Sequence, residues 1–298
     1  LYRKVLKRLP SQEIFKPVKL KVSVVIGVLN NVPGLTRTLK SIADQDLQKE
    51  LEVIVIDDGS TLENSKAIAI ECRKYPNVRC VSNRENVGLT KSLIHGCALA
   101  KGEFIARIDA GDIYLDRSHL LKSINFLEKN CKVSVVGANI IVENKYLNKK
   151  YLMKNPSVIT KVNVNGPRET LFVHVTTVFR RDVYNRVGGY SPDYFRGQDT
   201  ELWKRMLFEY EGFYLPHVAT LVEMQRESIS IKHNNEQYLG LLRIKLKKLI
   251  QGDIQLLLPS LILLLKLLLP RRIRIAMMYR KSYSVLSEKE YERLLTTD

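Results

Sequence analysis

Two absences narrow the field. No G-x-G-x-x-G run follows a strand-like segment and no G-x-x-x-x-G-K-[ST] occurs, so neither a dinucleotide fingerprint nor a phosphate-cradling P-loop is available. Cysteine is scarce. Cys72, Cys80, Cys97 and Cys131 lack C-x-x-C spacing and a paired histidine cluster, which argues against a zinc site or a disulfide framework and fits a reducing cytosol. The N-terminal LYRKVLKRLP is basic but has no apolar core and no small-residue cleavage site, so it does not read as a secretory signal. Nor does any apolar run reach the roughly 20 residues of a spanning helix. The longest, 254–269, is broken by Gln255, Pro259, Ser260 and Lys266.

Positive charge is what the chain has in excess. Of the net +17 over 298 residues, +6 falls on residues 1–21 and +7 on 232–298, leaving +4 for the middle. A nucleic-acid enzyme lines its working groove with basic residues, whereas here the excess flanks the expected core. That distribution favours an anionic membrane surface and argues against nucleic acid. Residues 239–250 are amphipathic and basic, 254–269 are leucine-rich, and Arg271, Arg272, Arg274, Arg280 and Lys281 follow. The pattern predicts a helical tail lying in a membrane interface, with these cations at lipid phosphates; a buried core or dimer helix is the alternative.

From Lys21 to Val136, β-branched runs alternate with helical stretches, the rhythm of a mostly parallel α/β sheet. Strands are expected at 22–28, 51–57, 78–81, 104–109 and 133–137, and helices at about 34–44, 62–74, 88–100 and 117–129. Pro33 suits a first helical turn and Pro76 stops the second helix. Beyond Gly137, residues 140–153 read as a hairpin or loop, 172–179 as a strand and 198–210 as a helix. The expected division is a basic extension (1–20), a catalytic domain (21–231, with a donor half 21–137 and an acceptor half 138–231) and the tail (232–298). Three strands end in polar residues: Asn30-Asn31, Asp57-Asp58-Gly59-Ser60 and Asp109-Ala110-Gly111-Asp112. Ligands of open α/β sheets bind outside the carboxyl ends of the strands, so three polar tips on one rim predict one site. Carboxylates with a divalent cation are an alternative way to hold a nucleoside diphosphate, since magnesium and manganese take oxygen ligands.

VSVVIGVLN, VIVIDDGST, NRENVGLTKSLIHGCALAKGEFIARIDAGDIYLDR and HVTTVFRRDVYNRVGGYSPDYFRGQDTELWKR stand in the order and spacing of glycosyltransferase family 2, and residues 20–231 resemble it. The resemblance implies a GT-A fold and inverting transfer from a nucleoside-diphosphate sugar. It places Asp58 at the nucleobase beside Gly27 and Asn30, with Asp57 supporting the turn, although Asp-Gly-Ser is also ordinary turn chemistry. It places Asn86, Gly88 and Lys91 beside the nucleotide, and Arg107 and Asp109 on the donor side.

Asp109 and Asp112 match the family's metal motif for magnesium or manganese, but Gly111 stands where a metal-ligating Asp is usual. A swing of Asp112, a water-held cation, or Arg107 and neighbouring basic residues sharing the diphosphate charge are the alternatives. Asp199 of Gly197-Gln198-Asp199 corresponds to the catalytic base, which takes the acceptor hydroxyl's proton. Gln198 replaces the usual Glu, which should relax the pressure on the Asp199 pKa. His174, Gln198, Trp203 and Arg226 are expected on the acceptor or diphosphate side. His174 and Trp203 are equally at home in a core. The basic tail and the resemblance together suggest a glycan or lipid-linked acceptor of bacterial surface polysaccharide synthesis. The enzyme would then be cytoplasmic and peripheral on the inner face of the membrane. A non-catalytic sugar-nucleotide-binding scaffold of the same fold is the alternative, because Gly111 and Gln198 both depart from the active pattern.

Overall fold

The computed structural model describes residues 20–153, 160–162, 171–194, 197–224, scattered positions between 239 and 254, 257–280 and 283–295. Four strands carry the first half of the described fold: β1 (Val22–Val28), β2 (Leu51–Asp57), β3 (Val78–Ser82) and β4 (Phe104–Arg107). They lie in the order β4-β1-β2-β3, all parallel. Helices α1 (Val32–Ala43), α2 (Leu62–Cys72) and α3 (Leu89–Leu99) connect them. Alternation along each strand sorts the core into two layers. Val25, Ile54 and Ile56 face one way with Leu93 and Cys97 of α3. Val24, Ile26, Val53 and Val55 face the other, against Leu35, Leu39 and Ile68 of α1 and α2. β1 is the switch point, with β2 on one side and β4 on the other, which opens a crevice at the carboxyl ends of the strands.

After β4 come β5 (Ile113–Tyr114), α4 (His119–Lys129), β6 (Val133–Asn144), β7 (Lys149–Met153), β8 (Thr160–Lys161) and β9 (Val178–Arg180). α5 (Arg181–Arg186), α6 (Gln198–Glu209) and β10 (Glu211–Met224) complete this half. Here the expectation of a mostly parallel sheet needs correction, because the sheet is mixed. β9 is antiparallel to both β4 and β6, β7 folds back on β6, and β10 runs parallel to β6. Among the described residues between β8 and β9 there is a 3-10 turn, His174–Thr176, and no crossover helix that would impose parallel pairing.

The strand expected over 172–179 is likewise reduced to β9. His174–Thr176 form a 3-10 turn, because the hydroxyls of Thr176 and Thr177 donate to the carbonyls of Val173 (2.9 Å) and His174 (2.7 Å). The 104–109 strand stops at Arg107, and residues 140–153 are the hairpin β6–β7.

The tail divides into two kinds of structure. α7 (Leu257–Leu267) leaves Leu257, Leu258, Leu261, Leu264 and Leu265 exposed. α8 (Arg271–Arg280) instead buries Ile275 in the core layer that holds Trp203 and Phe172. β11 (Tyr283–Val285) adds antiparallel to β7, and α9 (Glu288–Leu295) places the Tyr291 ring under Lys150 at 3.8 Å. The last stretch of the expected separate tail is therefore part of the sheet. Arg274, expected at lipid phosphates, is 4% exposed and donates to Leu267 O at 3.0 Å. Its charge meets the carbonyl end of α7 instead, where a cation is favoured. Among the described residues no helix is long and apolar enough to cross a membrane.

Candidate active site

The β2 end builds a clamp. Asp57 is 1% exposed and accepts from Ser60 N (3.1 Å) and the Ser82 hydroxyl (3.3 Å), which fixes the turn. The Asp58 carboxylate accepts from Val87 N, Gly88 N and the Asn83 amide, each at 3.0 Å. It thereby draws the 83–88 loop against the strand end. Gly59 makes that approach possible: at φ +73°, a Cβ there would lie 2.3 Å from the Glu85 carbonyl carbon. Asn30, at φ 52°, accepts from Thr61 N (2.9 Å) and the Asn64 amide (3.1 Å), tying the first strand tip to the second. Gly27 faces Leu89 at the head of α3. Asn86 accepts from Gly88 N at 3.0 Å, and Lys91 is exposed in the first turn of α3.

The β4 end carries the charges. Arg107 is 1% exposed, donates to Val25 O at 3.2 Å, and pairs with Asp109, whose side chain is 45% exposed. Arg107 Nε is buried without a partner among the described residues. The 109–112 loop is pinned from α1: Gly111 N donates to the Thr38 hydroxyl (2.9 Å), which donates to Asp112 O (2.7 Å). The Asn31 amide donates to Ala110 O at 2.8 Å. Asp112 is 7% exposed, and burial, reinforced by Asp109, pushes its carboxyl well above the usual carboxylate range.

Asp199 is half-buried in the first turn of α6. Burial raises its pKa. Main-chain donors and Arg107 oppose the rise, and Asp109 adds to it. Asp199, Asp109 and Arg107 therefore share one electrostatic site, although 90 residues separate Asp109 from Asp199 in the chain. The relaxed pressure expected from Gln198 does not decide the matter, since burial is the larger cause. Gln198 itself is 8% exposed.

His174 Nε2 lies 2.7 Å from the Tyr190 hydroxyl, and its imidazole is held well below its usual pKa by burial and then by Arg107. Trp203 is fully buried, edge-on to His174 at 6.0 Å and to Phe179 at 5.5 Å. It is a core residue supporting His174 from behind. Arg226 lies outside the described residues.

Three contributors went unread in the sequence. Thr38 pins the 109–112 loop. Tyr190 partners His174. Thr90 donates to Tyr194 O at 2.8 Å, tying α3 to the segment that leads to Asp199. Only the G-G-Y turn hinted at Tyr190, and nothing local marked the two threonines.

A divalent cation fits this residue set poorly. Among the described residues no group of three His, Cys, Asp or Glu side chains is placed to hold a metal. Asp109 already faces a guanidinium, position 111 has no side chain, and Asp112 is buried.

Carboxylates gathered at the switch point of a mixed α/β sheet define an enzyme of GT-A-like architecture, and two solved structures share that fold. One is S. aureus TarS 1-349 in complex with UDP-GlcNAc (TM-score 0.61, 19% identity, 76% of this chain and 66% of that one). The other is the mannosyltransferase PcManGT from Pyrobaculum calidifontis in complex with GDP-Man and Mn2+ (TM-score 0.59, 17% identity, 93% of this chain and 79% of that one). The chain thus spans about two thirds of the TarS fragment's length. The sequence pattern of glycosyl transferase family 2 matches residues 23–188. Among curated relatives, the putative glycosyltransferase EpsE of Bacillus subtilis is 29% identical over 224 residues, covering 73% of this chain and 77% of that one. The amylovoran biosynthesis glycosyltransferase AmsE of Erwinia amylovora is 27% identical over 187 residues, covering 62% and 69%. The chain belongs to glycosyltransferase family 2 and is a glycosyltransferase.

Proposed function

We propose that this chain moves a sugar, with inversion, from a nucleoside-diphosphate sugar to a hydroxyl of a glycan or lipid-linked acceptor in bacterial surface polysaccharide synthesis. The observation that carries the reading is the placement of Asp199, a half-buried carboxylate at a helix start, in one electrostatic site with Arg107 and Asp109. The nucleoside lies along the Asp58 clamp beside Gly27, Asn30 and Asn86, and the diphosphate lies toward Lys91 and Arg107. Asp199 takes the acceptor proton as the oxygen attacks C1 from the side opposite the leaving diphosphate. Burial disfavours the charged form of Asp199, which makes its carboxylate a stronger base than an exposed one. AmsE is named for amylovoran biosynthesis, which supports the acceptor class. The exposed leucines of α7 support peripheral attachment at the cytoplasmic face of the membrane.

The test is Asp199→Asn, assayed for nucleoside diphosphate release with UDP, GDP and dTDP sugars and a polyprenyl-linked glycan acceptor. Turnover is expected to fall by about 10²–10⁴-fold, the usual worth of a general base, while donor affinity stays within a few fold. Turnover like that of the unaltered chain sinks the proposal.

A further inference from the structure

We infer that this chain holds the diphosphate of its donor without a divalent cation bound directly to protein carboxylates. The inference rests on the donor reading above and goes beyond it, since it concerns how the charge of the leaving group is met. A magnesium or manganese ion beside a diphosphate is ordinarily fixed by one or two protein carboxylates, the rest of its shell being waters and phosphate oxygens. Three features remove those carboxylates here.

Asp109 has the only acidic side chain of the 109–112 loop that reaches solvent, and it is paired with Arg107. That guanidinium is itself buried and anchored to the carbonyls of Val25 and Ile108, so the pair is part of the floor of the site. Position 111 offers nothing. Gly111 sits at φ +123°, and a Cβ built there meets only Asn31 Nδ2, at 3.5 Å. The space for a Cβ exists, but the side chain does not.

Asp112 does not take its place. It is 7% exposed, its amide donates to Asp109 O at 3.0 Å, and its carbonyl accepts from Thr38. The next residue enters β5, where Ile113 pairs with Leu221. The main chain of Asp112 is thus fixed from α1 and from β10, with its carboxylate buried. The diphosphate charge then falls to protein cations and amides, with Lys91 exposed at the start of α3 beside the Asp58 clamp.

The experiment uses the full chain in two independent arms. In the first, Mn2+ alone is titrated and followed by electron paramagnetic resonance. No saturable site is expected, and a bound ion that Asp109→Asn releases overturns the inference. In the second, UDP and GDP affinities are measured by calorimetry in EDTA and in Mn2+. They are expected to differ by no more than about twofold, and a weakening in EDTA of about tenfold or more overturns the inference. Gly111→Asp is expected to create cation dependence, tightening nucleotide binding by about tenfold on adding Mn2+. Gly111→Asn carries the same backbone strain without the charge, and is expected to create none. If neither nucleotide binds under any condition, the donor reading fails, while the Mn2+ titration still decides the cation question.

Discussion

At the scale of single residues, the buried imidazoles of His119 and His217 set how the chain responds to acid. His119 Nδ1 and His217 Nε2 are 2.9 Å apart, so one donates and the other accepts, and neither holds an extra proton comfortably. Burial is the main cause in both, pulling His119 to about 3 and His217 to about 4. Asp116 opposes the shift, Lys122 adds to it in both, and His217 adds to it in His119. Each group is a base whose folded pKa lies below its ordinary 6.5. Its contribution to stability is therefore complete above about pH 6.5 and is lost as pH falls through the folded value. Between pH 7 and pH 5 the loss is about 2 kcal/mol per imidazole. His217→Gln keeps a hydrogen-bonding partner for His119 and removes one titration. Urea unfolding at the two pH values is expected to show the variant losing about 2 kcal/mol less than the unaltered chain; equal losses would show that this pair does not govern acid sensitivity. Such a pair is illegible in sequence because 98 positions separate its members. Asp57, Asp58, Asp109 and Asp199 were legible, since each sits beside glycine-bearing turn chemistry at a strand end or helix start.

At the scale of elements, the stretch from β1 to β4 was readable because each strand there is a short β-branched run bounded by turn residues, and each gap has helical length. β1 and β2 fall where the alternation puts them, and the helix starts differ from expectation by at most two residues. β10 was not read, although it is the longest strand. Pro216 in its middle argues against a strand by local rules, and the structure accommodates it where the register with β6 shifts between Tyr214 and Val218. The 3-10 turn at His174 was hidden for the opposite reason: VHVTTVF has strand propensity, and only the back-bonding threonine hydroxyls override it.

The clamp between β2 and α3 gives the element-scale prediction. A methyl group at Gly59 would strike the main chain of Glu85 and Asn86 at 2.3–2.4 Å, where no side chain can yield, in a backbone conformation that disfavours Cβ. Gly59→Ala is expected to cost about 2 kcal/mol in chemical denaturation. If the 83–88 loop moves away instead, releasing Asp58, the variant keeps its stability and loses nucleotide affinity. Stability and affinity both unchanged would show that the clamp is not tight.

At the scale of the whole molecule, the C-terminal region combines one docked and one undocked surface. α8 and β11 are built into the body, through Ile275 in the core and the β11–β7 ladder. α7 keeps its leucines outside, with Leu261 52% and Leu265 56% exposed one turn apart. Its 11 residues are about 16 Å long at 1.5 Å per residue, too short to cross a hydrocarbon core of about 30 Å. They suffice to lie in the interface, with exposed Arg272 following. Deleting the whole tail would be a poor test, because it would also strip β11 from the sheet, take Ile275 out of the core and uncover Ile141 and Leu221, which Tyr291 covers. Leu261→Glu with Leu265→Glu leaves those contacts alone and places two carboxylates on the apolar surface. Binding to phosphatidylglycerol-containing vesicles, measured by flotation, is expected to fall at least about tenfold in the double variant while circular dichroism is unchanged. Raised salt should weaken the unaltered chain's binding only in part, because screening acts on the arginines and not on the leucines. Equal flotation of both proteins, or none by the unaltered chain, rejects α7 as the membrane contact and leaves its leucines for a protein partner.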